Sequence, residues 1–316
     1  MPVEFYLRHF PGRNPVWGSY KFVFGTGKPE SDFLVVYDRF DRPVSTACPH
    51  ERRILFTGEP PSVKEYNPRF LQQFGTIVGV DSRIDHPGFI RSAQSLPWMV
   101  GWPFFTDERP ITRGYDDFRN RSYPEKDDRL VIVTSSKIHT AGHRKRYEFA
   151  LALKKEFKDR ALLLGVGIDR ISDKWDVLAP HKYALAMENS SYPDYWTEKL
   201  SDAFLAGCYP FYHGCSNIGD YFPAASFGLI DPDNLSASIQ TIEEAIEGDA
   251  YSRSASERNS AIDLILDRYN LFARLAEIAS RLPAPKREGS STYTIYPESR
   301  FQRRGVRGFL RGLIRR

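Results

Sequence analysis

The chain has 316 residues, 41% hydrophobic and 14% aromatic, enough to bury a full core in two domains of ordinary size, which excludes a disordered chain. The net charge is +4, but the last sixteen residues contribute +6, so residues 1–300 stand at −2 and a broadly basic nucleic-acid-binding body is excluded. No run reaches the about eighteen apolar residues of a membrane span, the N-terminus MPVEFYLRHFPGR lacks a signal-peptide core, and Cys48, Cys208 and Cys215 have no CxxC spacing for a disulfide framework or thiolate zinc site; a cytoplasmic protein is expected.

From the N-terminus, short apolar runs (EFYLRHF, DFLVVYDRF, RRILFTGEP, GTIVGVD) alternate with loops rich in Pro, Gly and Asp, which predicts strands in a first α/β domain over 1–122. The aromatic segment SAQSLPWMVGWPFF, with Trp98 and Trp102, suits either a sugar-stacking surface or a core. The charged stretch RNRSYPEKDDRL, 119–130, reads as the exposed connection between domains.

A second domain is expected over 123–284. It runs strand RLVIVTSS, helix RKRYEFALALKKEF, strand ALLLGVGI, short helix KWDVLA, strand KYALAMEN, helix DYWTEKLSDAFLA, then strands YPFYHG and SFGLID. That alternation predicts a parallel sheet covered on both faces, with ligands at the loops after Ser135, Ile168, Asn189, Gly214 and Asp231. Two closing helices are expected between 235 and 282. In the tail, 285–316, Val306, Phe309, Leu310, Leu313 and Ile314 form a helical stripe among arginines, the pattern of a membrane-surface helix over 301–316.

The chemistry concentrates in HKYALAMENSSYPDYWTEKLSDAFLAGCYPFYHGC, 181–215. Asp194 reads as the cap of a helix whose first turn holds Tyr195 to Glu198, followed by Lys199; a helix N-terminus beside a lysine ammonium is an anion site. Glu188, Asn189 and Glu198 offer acceptors for ribose or sugar hydroxyls. His139 and His143 lack a third metal ligand, GVGID is only a lone Gly-x-Gly, and Asp231-Pro-Asp233 reads as a turn into a helix cap.

This segment resembles the signature of the α-1,3/4-fucosyltransferases, glycosyltransferase family 10, in their bacterial form: Glu-Asn at a strand end, Tyr-x-Thr-Glu-Lys opening a helix, then Ala-x-x-x-Gly and Pro, continuing through GDYFPAASFGLIDPDNLSASI so that roughly 125–245 is covered. The resemblance implies a GT-B fold, two facing Rossmann-like α/β domains with a cleft between them. It implies an inverting transfer of fucose from GDP-fucose to a saccharide hydroxyl, as in bacterial surface-glycan (lipopolysaccharide) synthesis, without a required cofactor or metal. It places Asn189, Tyr195, Glu198 and Lys199, with Glu188, at the donor. Counting back from the matching Ala-Leu puts the phosphate-binding arginine at Arg144, or at Arg146 if the register slips. The family's Thr-Gly-Glu puts the catalytic base at Glu59, with Glu65 and Asp81 as spare carboxylates. The expected partners are GDP-fucose, a saccharide acceptor and, through 301–316, the inner face of an anionic membrane, but not nucleic acid. Trp196 stands where the family has a small apolar residue, so another GDP-sugar donor is the alternative, and a non-catalytic sugar-nucleotide or glycan binder is a second.

Overall fold

The structure is a computed structural model that describes residues 1–25, 31–103, 111–283 and 291–302, so the expected tail helix lies outside the described residues from 303 onward. Two compact units form, one of Met1–Phe24 with Ala93–Arg281 and the other of Gly25–Ser92 with Leu282–Arg316.

The smaller unit holds a parallel sheet in the order β1-β2-β3-β4, formed by Leu34–Tyr37, Arg53–Phe56, Thr76–Gly79 and Phe89–Arg91. Leu55, Ile77, Phe70, Phe74 and Ile295 build its core. A second ladder pairs Tyr293–Ile295 with Val44–Thr46, so a segment from the far end of the chain completes this unit.

The larger unit holds five parallel strands: β5 (Asp127–Val133), β6 (Ala161–Leu164), β7 (His181–Met187), β8 (Tyr209–His213) and β9 (Gly228–Leu229), in the order β9-β8-β7-β5-β6. Strands β7 and β8 are near-continuous apolar runs, as burial on both faces demands. One face packs on α1 (Ala141–Phe157), through Phe149, Leu153 and Phe157, and on α4 (Leu235–Glu247), through Ile242. The other packs on α3 (Glu198–Leu205) and α5 (Ala255–Asp263), while α2 (Lys174–Leu178) leads into β7. The expected closing pair of helices is broken into α4, Ala250–Arg253, α5, a π-turn at Leu264–Arg268 and α6 (Leu271–Arg281).

The units divide at 24/25, 92/93 and 281/282, whereas the composition pointed to 122/123. The charges of 119–130 are not a solvated linker: Arg119 and Arg121 pair with Asp263 on α5, and Lys126 Nζ donates to the carbonyls of Ala179, His181 and Ala206. EFYLRHF likewise forms a helix, Val3–Leu7, rather than a strand, burying Phe5 against Trp102 while Phe10 lies 4.1 Å from the Phe272 ring of α6.

Trp98 is 2% exposed, packed on His9 and Phe118, which places it in the core. Its loop is fixed from below. Asp202 of α3 accepts the backbone N–H of Met99 at 2.7 Å and of Val100 at 2.9 Å, and pairs with Lys174 at 2.6 Å. Asp202→Ala leaves a buried and a part-buried N–H donor and an ammonium without their acceptor, so urea unfolding should show a loss of about 3 kcal/mol or more. A loss under about 1 kcal/mol contradicts this anchoring role.

Candidate functional site

In the larger sheet β5 leads to β6 on one side while β7 lies on its other side, so the strand order reverses between β5 and β7 and opens a crevice at their carboxyl ends. The loops after β5 and β7 frame that crevice and end in the helix starts of α1 and α3. Thr140 caps α1 by accepting the His143 N–H at 3.2 Å, and Thr197 caps α3 by accepting that of Lys199 at 3.4 Å. Gly142 makes the close packing possible: a Cβ there would lie 1.8 Å from the Asn189 carbonyl oxygen.

Asp194 is not the cap of α3. Its φ of 67° places it in the left-handed region, and its carboxylate accepts from Asn217 Nδ2 at 2.9 Å and from Tyr221 OH at 2.8 Å. The helix therefore starts at Glu198, and Lys199 occupies its first turn.

Glu188, 1% exposed, is turned beneath the crevice. It accepts the Thr197 N–H and hydroxyl at 2.8 Å and the Lys199 ammonium at 3.1 Å. Burial pushes its carboxyl above the ordinary range, against the pull of Lys199. Lys199 also reaches Glu198 Oε1 at 3.2 Å and Thr197 Oγ1 at 2.9 Å, and keeps a quarter of its side chain exposed. Burial opposes the Lys199 charge, but Glu188 and then Glu198 outweigh it and hold the ammonium above its usual range. Burial likewise opposes ionisation of Glu198, yet Lys199 and Lys174 bring its carboxyl down to about 2. Glu188 thus positions Lys199, and Glu198, on the more open side, remains an ionised acceptor.

The arginine brought to this cluster is Arg146. It is 8% exposed, Nη2 donates to Ser135 Oγ at 3.5 Å, and Nε is buried with no partner. Burial lowers its guanidinium pKa, with Glu188, Glu198 and Tyr195 pulling it back, which puts all of them within its electrostatic reach. Arg144 is exposed and lines a different groove, of about 480 Å³, with Lys145, Phe149, Pro232, Asp233 and Leu235. Arg146, rather than the expected Arg144, is therefore the arginine within electrostatic reach of Lys199. Helical phase decides between them: Arg146, Phe149, Ala150, Leu153 and Phe157 are the buried stripe of α1.

Asn189 and Tyr195 stand together at the crevice, the Tyr195 hydroxyl donating to Asn189 Oδ1 at 2.9 Å. Trp196 packs at 5.1 Å on Phe222 and 5.5 Å on Tyr269 in the core, so it is no pocket wall. The glycines of GVGID serve loop packing, since a Cβ on Gly165 would lie 1.7 Å from Thr134 O and one on Gly167 2.0 Å from Ser136 Oγ. Asp231 accepts the Asp233 N–H at 2.9 Å in a turn, and Asn234 caps α4.

In the smaller unit Glu59 follows the carboxyl end of β2 and is half-buried. The Tyr66 hydroxyl accepts the N–H of Gly58 at 2.9 Å and of Glu59 at 3.4 Å and donates to Asp38, pinning the chain there. Asp81 is taken by Arg83, at 2.8 and 2.9 Å, and Glu65 is exposed.

Residues 124–246 match the family model described as Glycosyltransferase family 10 (fucosyltransferase) C-term. Among solved structures the chain is similar to an alpha1,3-fucosyltransferase with GDP-fucose, at 16% identity over 83% of this chain and 82% of that one, TM-score 0.48. The same kind of enzyme with GDP gives 17% identity over 78% and 81%, TM-score 0.46. A TarM mutant of S. aureus, in complex with Fondaparinux, alpha-GlcNAc-glycerol and UDP, gives 10% over 73% and 55%, TM-score 0.43. The matched span contains β5 to β9 and every residue of the crevice from Ser135 to Lys199, so it is this segment of the chain that is similar to the C-terminal domain of glycosyltransferase family 10, the fucosyltransferases.

Proposed function

We propose that the protein transfers fucose from GDP-fucose to a hydroxyl of a saccharide acceptor, with inversion and an α-1,3 linkage. The observation that carries this reading is that Arg146 and Lys199 each stand in the first turns of a helix that starts at the β5/β7 crevice, within electrostatic reach of one another. Two cations and two helix N-termini oppose the charge that develops on the departing diphosphate, the contribution that a divalent ion supplies in metal-dependent transferases. Glu198 is suited to the ribose or fucose hydroxyls, and Asn189 with Tyr195 to the remaining polar edge of the donor. The basic stripe of 301–316 would hold the enzyme on an anionic bilayer that carries lipid-linked acceptors.

Glu59 is assigned as the base that takes the acceptor proton as the hydroxyl attacks the anomeric carbon. Glu59→Gln should leave GDP binding unchanged and lower transfer about 100-fold or more, measured on the best acceptor of a panel with linkage analysis of the product. Transfer by this variant at the wild-type rate gives the base role to another group, and failure of the wild type to bind GDP removes the whole reading.

A further inference from the structure

The fucosyl-transfer reading gives His143, a crevice side chain, no task. It sits one turn before Arg146 on α1, and its ring nitrogens face different partners: Nδ1 lies 2.7 Å from Thr140 Oγ1 and Nε2 3.3 Å from Asn189 Nδ2. Asn189 Nδ2 is a donor, so Nε2 must accept and Nδ1 must carry the proton. The carboxamide is thereby gripped at both ends, by His143 at the nitrogen and by the Tyr195 hydroxyl at Oδ1, 2.9 Å away.

We infer that His143 is a positioning residue for donor binding: neutral and protonated only on Nδ1, it fixes the carboxamide of Asn189 so that the second Nδ2 proton is presented to the bound donor. The inference rests on the crevice being the donor site. An imidazolium would place an N–H against the Asn189 amide N–H, forcing the carboxamide to turn over, so that Oδ1 faces the ring and the Tyr195 hydroxyl accepts from Nδ2 instead of donating to Oδ1. Burial disfavours that state, and after it Arg146, His139, Lys199 and Lys137 act in the same direction, holding His143 below its ordinary value. Thr140 and Asn189 are its neutral neighbours. The Thr140 cap uses the backbone N–H of residue 143, so substitutions of the side chain leave the cap of α1 in place.

The test is calorimetric binding of GDP-fucose to the full chain as wild type, His143→Ala, His143→Gln and Arg146→Ala, at about pH 7.5 and about pH 5, with thermal unfolding to verify folding. At the higher pH, His143→Ala should bind about fivefold more weakly than wild type, and His143→Gln, whose amide oxygen can accept from Asn189, should recover most of that loss. On acidification the wild type should lose affinity relative to His143→Gln by a similar factor of about five, because only the wild type can place a proton on Nε2. Glu188 and Glu198 are present in all these proteins, so the ratio isolates the imidazole. Equal binding by wild type and His143→Ala, equal weakness of the Ala and Gln variants, or parallel pH profiles for wild type and the Gln variant each overturns the inference. If the wild type does not bind, or Arg146→Ala binds as the wild type does, the donor-site reading itself fails and the inference falls with it. Loss of binding in Arg146→Ala alongside an unaffected His143→Ala overturns the inference alone.

Discussion

Lys199→Met should eliminate measurable donor turnover, weaken GDP binding about 100-fold or more, and destabilise the fold at the same time. The lysine is the sole ammonium in contact with the Glu188 carboxylate among the described residues, and that carboxylate has no exposed surface. Removing one partner of a fully buried pair costs about 3–5 kcal/mol; with a quarter of the lysine still exposed, about 2–3 kcal/mol is expected from urea unfolding near neutral pH. The sign of its pH dependence follows. Glu188 already sits above the ordinary carboxylate range, and without Lys199 it rises further, so the folded variant binds a proton more readily than the unfolded chain. The deficit relative to wild type should therefore shrink as pH falls from about 8 to about 5. Lys199→Met combined with Glu188→Gln should recover most of the stability but none of the binding. A Lys199→Met variant that loses binding with no loss of stability contradicts the coupling of Glu188 to Lys199.

Arg146→Ala should lower GDP affinity about 100-fold, whereas Arg144→Ala should change it less than about twofold. The two side chains are two residues apart on one helix, so a difference of this size comes from direction rather than from the number of cations on the surface. Arg146→Lys should fall between, because an ammonium retains the charge but not the planar fork that holds two phosphate oxygens. Equal losses at 144 and 146 indicate only a diffuse electrostatic attraction.

The strands β5 to β8 were legible because each contains an apolar run, LVIV, ALLL, YALAM and YPFY, which falls on its buried and half-buried positions. The register of the arginine was ambiguous for a local reason: Ala150-Leu151 and Ala152-Leu153 repeat the same step, and counting back from the first gives Arg144 and from the second Arg146. The stripe through Phe149, Leu153 and Phe157 was available to decide it. The start of α3 was misread because Asp194 has the composition of a cap; its left-handed backbone is fixed by Asn217 and Tyr221, more than twenty residues away. The division of the chain was hidden in the same way, since nothing local says that Arg119 and Arg121 pair with Asp263. His143 was weighed only as a metal ligand, and its contact with Asn189 joins the start of α1 to the end of β7, which meet closely because residue 142 is glycine.

The proposed convergence of Arg146 and Lys199 on one diphosphate is tested most directly by a double-mutant cycle on GDP affinity, with Arg146→Ala, Lys199→Met and the double variant measured by calorimetry at low salt. If both side chains hold the same group, each single substitution removes about 100-fold, and the double loses clearly less than the product of the two, a coupling of about 1 kcal/mol or more. Losses that simply multiply, or a GDP affinity that either single variant retains, would contradict a shared diphosphate site.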